Sequence, residues 1–163
     1  MMVISFQYLG YWYGTYSNIN SFIDPGDHCI RATYRPLSKC SIVKFLFHNI
    51  SYPNTILDET AVFARNVGYG IDELYQQVCG IAWQVDPDNE PGHLVVQFYG
   101  PPGDYLILDT DYESFSAIYS CIKMGDFYQL TQTIITRSNQ PDIQTVRIIY
   151  YFVKEIFHDF SCS

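Results

Sequence analysis

The chain has 163 residues, enough for one domain with a substantial core, and sets 9 Lys and Arg against 17 Asp and Glu for a formal charge of −8. With no basic run anywhere, that balance excludes nucleic-acid binding, which needs cations to displace phosphate counterions, and disfavours attraction to anionic lipid. The 15 Tyr and 11 Phe favour sheet over helix and suit walls that touch flat apolar molecules.

In chain order, Met1 to Leu9 is too short and too poor in basic residues for a signal peptide. Leu9 to Asn18 is aromatic and reads as a first strand, with a bend or close approach at Gly10 or Gly14. Asp24-Pro25-Gly26-Asp27 marks a turn. Cys29 to Arg35 alternates, with Ile30, Ala32 and Tyr34 on one side, as a strand with one dry face does. Pro36 to Lys39 reads as a hairpin turn into a strand over Cys40–Asn49, where Val43, Phe45 and Phe47 share a face.

From Ile50 to Leu74 the pattern is poor and reads as a long connection, with Glu59 to Arg65 either strand or helical turn. Strand character resumes over Tyr75–Val85. The run Asp86 to Gly92 is a turn, and His93–Tyr99 is a strand with Leu94, Val96 and Phe98 on one face. Two β-favouring runs, from Tyr105 and up to Cys121, flank the polar break Asp109 to Ser114 as a hairpin. A last strand is expected over Tyr128–Arg137. Pro141 then opens a helix to Phe157, with Ile143, Val146, Tyr150, Val153 and Phe157 at helical spacing, joined by Ile149 and Ile156.

About eight strands joined mostly by hairpins, then one helix, predict an all-β fold. An eight-stranded up-and-down antiparallel barrel abolishes sheet edges and is wide enough for one small ligand. No apolar run reaches the ~20 residues of a membrane span. The five cysteines contain no Cys-x-x-Cys pair, which argues against a zinc knuckle and for disulfides in an oxidising compartment. The odd count leaves at least one thiol over. Asn49-Ile50-Ser51 is a glycosylation sequon.

Three separated motifs then resemble the lipocalins, and within them the apolipoprotein D and insect bilin-binding branch. Tyr8-Leu9-Gly10-Tyr11-Trp12-Tyr13 is similar to the amino-terminal Gly-x-Trp motif. Leu108 to Phe115 is similar to the Thr-Asp-Tyr loop, and Ile134-Ile135-Thr136-Arg137-Ser138 to the third motif. The resemblance implies one secreted lipocalin-like domain over residues 1–163, with strands over about 9–137, a helix over about 141–157 packed outside the barrel, and a tail over 158–163. It implies a barrel base built from Gly10, Trp12, Thr110, Asp111, Tyr112 and Arg137, with the arginine over the tryptophan. It also implies a Cys29–Cys162 disulfide, leaving Cys40, Cys79 and Cys121 open. Two departures are expected: the branch's cysteine-bearing segment before Tyr8 is missing, and the stretch over Ile50–Leu74 is longer than usual.

Inward alternation in such a barrel nominates Tyr16, Tyr34, Phe45, Phe47, Trp83, Leu94, Val96, Phe98, Tyr105, Ile107, Ala117, Tyr119 and Thr133 as ligand-facing. The function implied is extracellular binding and transport of a small hydrophobic molecule (retinoid, carotenoid, bilin, steroid or fatty acid) without catalysis and without a required cofactor beyond a bound lipid or pigment. A receptor or a second copy of the chain stays open as a partner. Two alternatives stand beside it: an enzyme using a thiol inside the barrel, and a ligand-free module acting through its loops. The four histidines are dispersed, so no metal site is expected, and the carboxylate pairs Asp86/Asp88 and Asp109/Asp111 are explained by turn chemistry.

Overall fold

The computed structural model describes residues 7–18, 28–37, 61–70, 72–98 and 101–160. Its eight strands are β1 (Gly10–Ser17), β2 (His28–Pro36), β3 (Val62–Tyr69), β4 (Tyr75–Gln84), β5 (His93–Gln97), β6 (Gly103–Thr110), β7 (Phe115–Met124) and β8 (Phe127–Thr136). Every strand pairs antiparallel with its sequence neighbour, and β1 pairs with β8, so the sheet closes into a barrel. Closure satisfies the outer N–H and C=O row of each would-be edge strand.

One strand is not where the pattern pointed. β2 pairs directly with Val62–Tyr69, with Tyr34 opposite Ala64, and the strand expected over Cys40–Asn49 lies outside the described residues. Val62–Tyr69 opens on three apolar residues in a row, so period-two alternation does not mark it as a strand. Phe45, Phe47 and Asn49 lie outside the described residues.

Two glycines carry left-handed backbone where a side chain would strain it. Gly10 has φ 102, and a Cβ there would sit 3.4 Å from Arg137 Nη1. Gly125, φ 68, turns β7 into β8. Register shifts between Gly14 and Tyr16 and between Ile107 and Asp109 bend β1 and β6 and reset which side chains point inward.

After β8 a helix, α1 (Ile143–Tyr151), is capped by Asp142, whose Oδ1 accepts from Thr145 N at 2.8 Å. Pro141 thus precedes the cap instead of opening the helix. The chain continues through a wide turn, Phe152–Ile156, and a tight one, Phe157–Asp159. The packed face is Thr145, Ile148, Ile149, Phe152, Val153, Ile156 and Phe157, which meets Tyr16, Leu108, Phe115, Ala117 and Ile134 on the outside of the barrel. Burying Phe152 and Phe157 contributes about 1.5–3 kcal/mol each. Ile143, Val146 and Tyr150, expected on that face, are exposed. Apolar residues occupy most of the helix circumference, so two stripes fit the periodicity. The stripe carrying Phe152 is the one that joins the cluster around Ala117.

Candidate functional site

The barrel is sealed at the end where β1 begins and β8 stops. Trp12 is fully buried, and its Nε1 donates to Tyr8 O at 2.9 Å. The Arg137 guanidinium lies 3.8 Å from the Trp12 ring centroid. Its Nε donates to Tyr112 O (3.0 Å), its Nη1 to Leu9 O (2.9 Å) and Tyr11 O (3.0 Å), and its Nη2 to Gln7 O. One cation therefore ties the entry of β1 to the β6–β7 turn.

That turn is held by its own side chains. Asp111 Oδ1 accepts from the backbone N–H of Glu113 (3.0 Å), Ser114 (2.8 Å) and Phe115 (3.1 Å), and Oδ2 accepts from the Ser114 hydroxyl. Partial burial would raise the Asp111 pKa, but these donors outweigh it and hold the carboxyl below its ordinary range. Thr110 Oγ1 donates to Phe115 O at 2.7 Å and accepts from Tyr112 N at 3.1 Å, which fixes Tyr112 at φ 67. Asp86 plays a similar part in the β4–β5 turn, accepting from the N–H of Asp88 and Asn89. Turn chemistry thus occupies Asp86 and Asp111.

Above the base, a continuous apolar wall is formed by Tyr8, Trp12, Ala32, Tyr34, Val62, Ala64, Ala82, Leu94, Val96, Tyr105, Ile118 and Ile135, with Phe98, Ile107 and Tyr112 packed against it. Strand pairing carries this face round the barrel: Ala64 stands opposite Tyr34, Ala82 opposite Val62, Leu94 opposite Tyr105, and Ile118 opposite Ile107. Of the nominated residues, Tyr34, Leu94, Val96, Phe98, Tyr105 and Ile107 come together here. Thr133 pairs with Ile118 on the same face, its hydroxyl reaching Ser17 Oγ at 3.5 Å.

Polar groups gather toward the sealed end. Tyr8 Oη lies 3.0 Å from Ser116 Oγ, and Tyr34 Oη lies 3.2 Å from Tyr105 Oη. Burial, then the neighbouring Tyr34, push the Tyr8 phenol well above its ordinary pKa, so it stays neutral.

Four nominated residues face the other way. Tyr16 and Ala117 pack under the helix, and Tyr119 meets Phe160 with ring centroids 5.0 Å apart. Trp83 is half-buried on the outer face of β4, beside Phe63, Ile81, Cys79 and Leu37. The cause is shared. Where something covers the outside of a barrel, both faces of the strand are apolar, and β7 is buried at every position from Phe115 to Ser120. In β1 the shift after Gly14 also turns Tyr16 outward.

The small wall residues Ala32, Ala64 and Ala82, with Ile118 and Ile135, were not nominated. Ala32 was legible as sharing a face with Tyr34, and Ala64 needed the true third strand.

The expected Cys29–Cys162 link is not formed. Cys29 is an exposed free thiol at φ 55, within the register shift between His28 and Arg31, and Cys162 lies outside the described residues. Cys121 is disulfide-bonded to a residue outside the described set. Cys79 and Cys121 both sit on outward-facing positions, so neither supplies the thiol inside the barrel that the enzyme alternative needs. Among the described residues no three His, Cys, Asp or Glu side chains assemble as a metal site, and no helix is long and apolar enough to cross a membrane. His93 is held outside the barrel between Glu90 Oε2 and Asp104 Oδ1, each at 2.8 Å.

No family model matches the chain. Among curated proteins it is similar to apolipoprotein D of Rattus norvegicus (29% identical over 150 residues, 90% of this chain and 67% of that protein) and to the Lazarillo protein of Schistocerca americana (27% over 159 residues, 94% and 64%). The chain thus spans about two thirds of their lengths. Among solved structures it superposes on the tryptamine complex of the amine binding protein of Rhodnius prolixus with a TM-score of 0.61, at 13% identity, covering 91% of this chain and 73% of that one. The chain has the closed barrel fold of the lipocalins and is similar in sequence to the apolipoprotein D and Lazarillo proteins. In this barrel the base and the interior wall are built from adjoining residues, Tyr8 and Tyr112 serving both.

Proposed function

We propose that this protein binds and carries a small apolar molecule inside its barrel, outside the cell, without chemistry of its own. The observation that carries the reading is the interior itself: an apolar wall closed at one end, with hydroxyl groups grouped near the seal. Burial of apolar ligand area would supply the affinity, at about 25 cal/mol per Å², and the hydroxyls would orient a polar end. A protein of the same fold being an amine binding protein is consistent with that use of the barrel. The aromatic lining of Tyr34, Tyr105 and Phe98 suits a flat conjugated or ring-bearing ligand.

The same reading has the chain secreted, with Asn49 glycosylated. Native mass spectrometry of protein from its own source tests the carrier role. A one-to-one adduct of small-molecule mass, lost on organic extraction, is the expected result. Protein that is always bare, and stays bare after exposure to a panel of apolar compounds, contradicts it.

A further inference from the structure

The chain beyond the helix is anchored on the outer face of the barrel. Gln132 of β8 donates from its Nε2 to Phe157 O, and the Phe160 and Tyr119 rings meet with centroids 5.0 Å apart. Tyr119 stands opposite Gln132 and Cys121 opposite Leu130, so Cys121 is the next outward-facing residue of β7. Phe160 leaves its turn with extended backbone, at φ −93 and ψ 129. Cys162 follows two residues later.

Cys121 is disulfide-bonded, whereas Cys29 and Cys79 stand as thiols. Of the five cysteines, Cys40 and Cys162 are then the partners the chain can offer. Reach separates them. Successive outward positions of a strand lie about 6.6–6.8 Å apart, and two residues of chain span up to about 7 Å. A tail held by Phe160 at Tyr119 therefore has the reach to bring Cys162 to Cys121. Cys40 follows Leu37 by three residues, a reach of about 11 Å, to which a disulfide adds about 7 Å at most between Cα atoms. Leu37 donates its N–H to Ala61 O and packs with Phe63, Ile81 and Trp83 outside β3 and β4. In the closed ring β3 and β7 are four strand spacings apart either way, about 19 Å at the sheet and more outside it. Cys40 falls short.

We propose that Cys121 is bonded to Cys162, in place of the Cys29–Cys162 link that the resemblance implies. In forming the bond the two thiols give two electrons and two protons to a disulfide acceptor, which leaves as two thiols. The bond straps Phe157 and Phe160 over Ala117 and Tyr119, so this cover is covalent in an oxidising compartment and held by packing alone after reduction. The strap lies outside the barrel and does not depend on what the barrel carries.

The test is peptide mapping of the full chain from its own source, with thiols alkylated before digestion. Trypsin followed by a protease that cuts before aspartate puts the five cysteines on separate peptides. A linked pair carrying Cys121 and Cys162, separated by reductant, is expected in wild type and again in Cys29→Ser. Cys121 linked to Cys40, to Cys29 or to a second copy of itself overturns the inference, as does Cys121 recovered alkylated. Melting gives a second reading. Cys121→Ser, Cys162→Ser and the double variant should each melt about 5–15 °C below wild type, without adding, and reduced wild type should join them. A double variant that falls by the sum of the singles, or wild type unmoved when the bond is reduced, overturns it. The map needs no variant to fold.

Discussion

The sealed base and the wall above it use polar groups in opposite ways. At the base, the Arg137 donors and both Asp111 oxygens are paired within the protein, mostly with backbone. In the wall, neutral hydroxyls bond one another, Tyr8 with Ser116 and Tyr34 with Tyr105. Charge-assisted bonds are roughly twice as strong as neutral ones, so the base is held harder than the wall. The contrast separates the part of the molecule that holds the fold from the part available for binding.

Substitutions can break that contrast. Trp12→Ala should have the largest effect, destabilising by about 3–5 kcal/mol in urea denaturation, because it empties a fully buried aromatic site under Arg137. Arg137→Leu should cost about 2–4 kcal/mol, from the lost cation–π contact and the carbonyls left without donors. Tyr34→Phe, in the wall, should cost only about 1 kcal/mol, since it removes one hydroxyl and keeps the ring. Its effect on ligand affinity should exceed its effect on stability. Equal costs for Arg137→Leu and Tyr34→Phe would dissolve the distinction.

Two smaller effects sharpen it through pH. Asp111 has a folded pKa below its ordinary value, so its stabilisation is present above about pH 4 and is lost as pH falls through the folded pKa. The melting-temperature gap between wild type and Asp111→Asn should therefore close in acid. His93 runs the other way: burial lowers its pKa, but Asp104 and then Glu90 outweigh this and raise it. Its contribution is fully present below about pH 6.5 and is lost as pH rises through the folded pKa. His93→Gln should thus match wild type more closely at pH 9 than at pH 6. Because His93 lies outside the barrel, ligand affinity should not follow that profile.

What could be read from the residues followed the physics of each region. Trp12, Asp111 and Arg137 stood in motifs whose contacts are local or fixed by the closure of the barrel, and the structure brings them together. Leu94 and Val96 lie on β5, and Tyr105 and Ile107 on β6 before its register shift, where period-two alternation points to the dry side. Ala117, Tyr119 and Tyr16 lie under α1 and Phe160, where both faces are dry and alternation carries no sign. Val62–Tyr69 is buried on both faces at its start, so it carries no alternation to read.

The central claim, that the wall above the Trp12 seal is a binding surface, can be read from Trp12 itself. Trp83 faces outward, so Trp83→Phe leaves a single reporter at the bottom of the barrel. Titrating that protein with a panel of apolar compounds should give a saturable, one-to-one change in Trp12 emission. A folded protein whose Trp12 emission responds to no member of the panel would contradict the account.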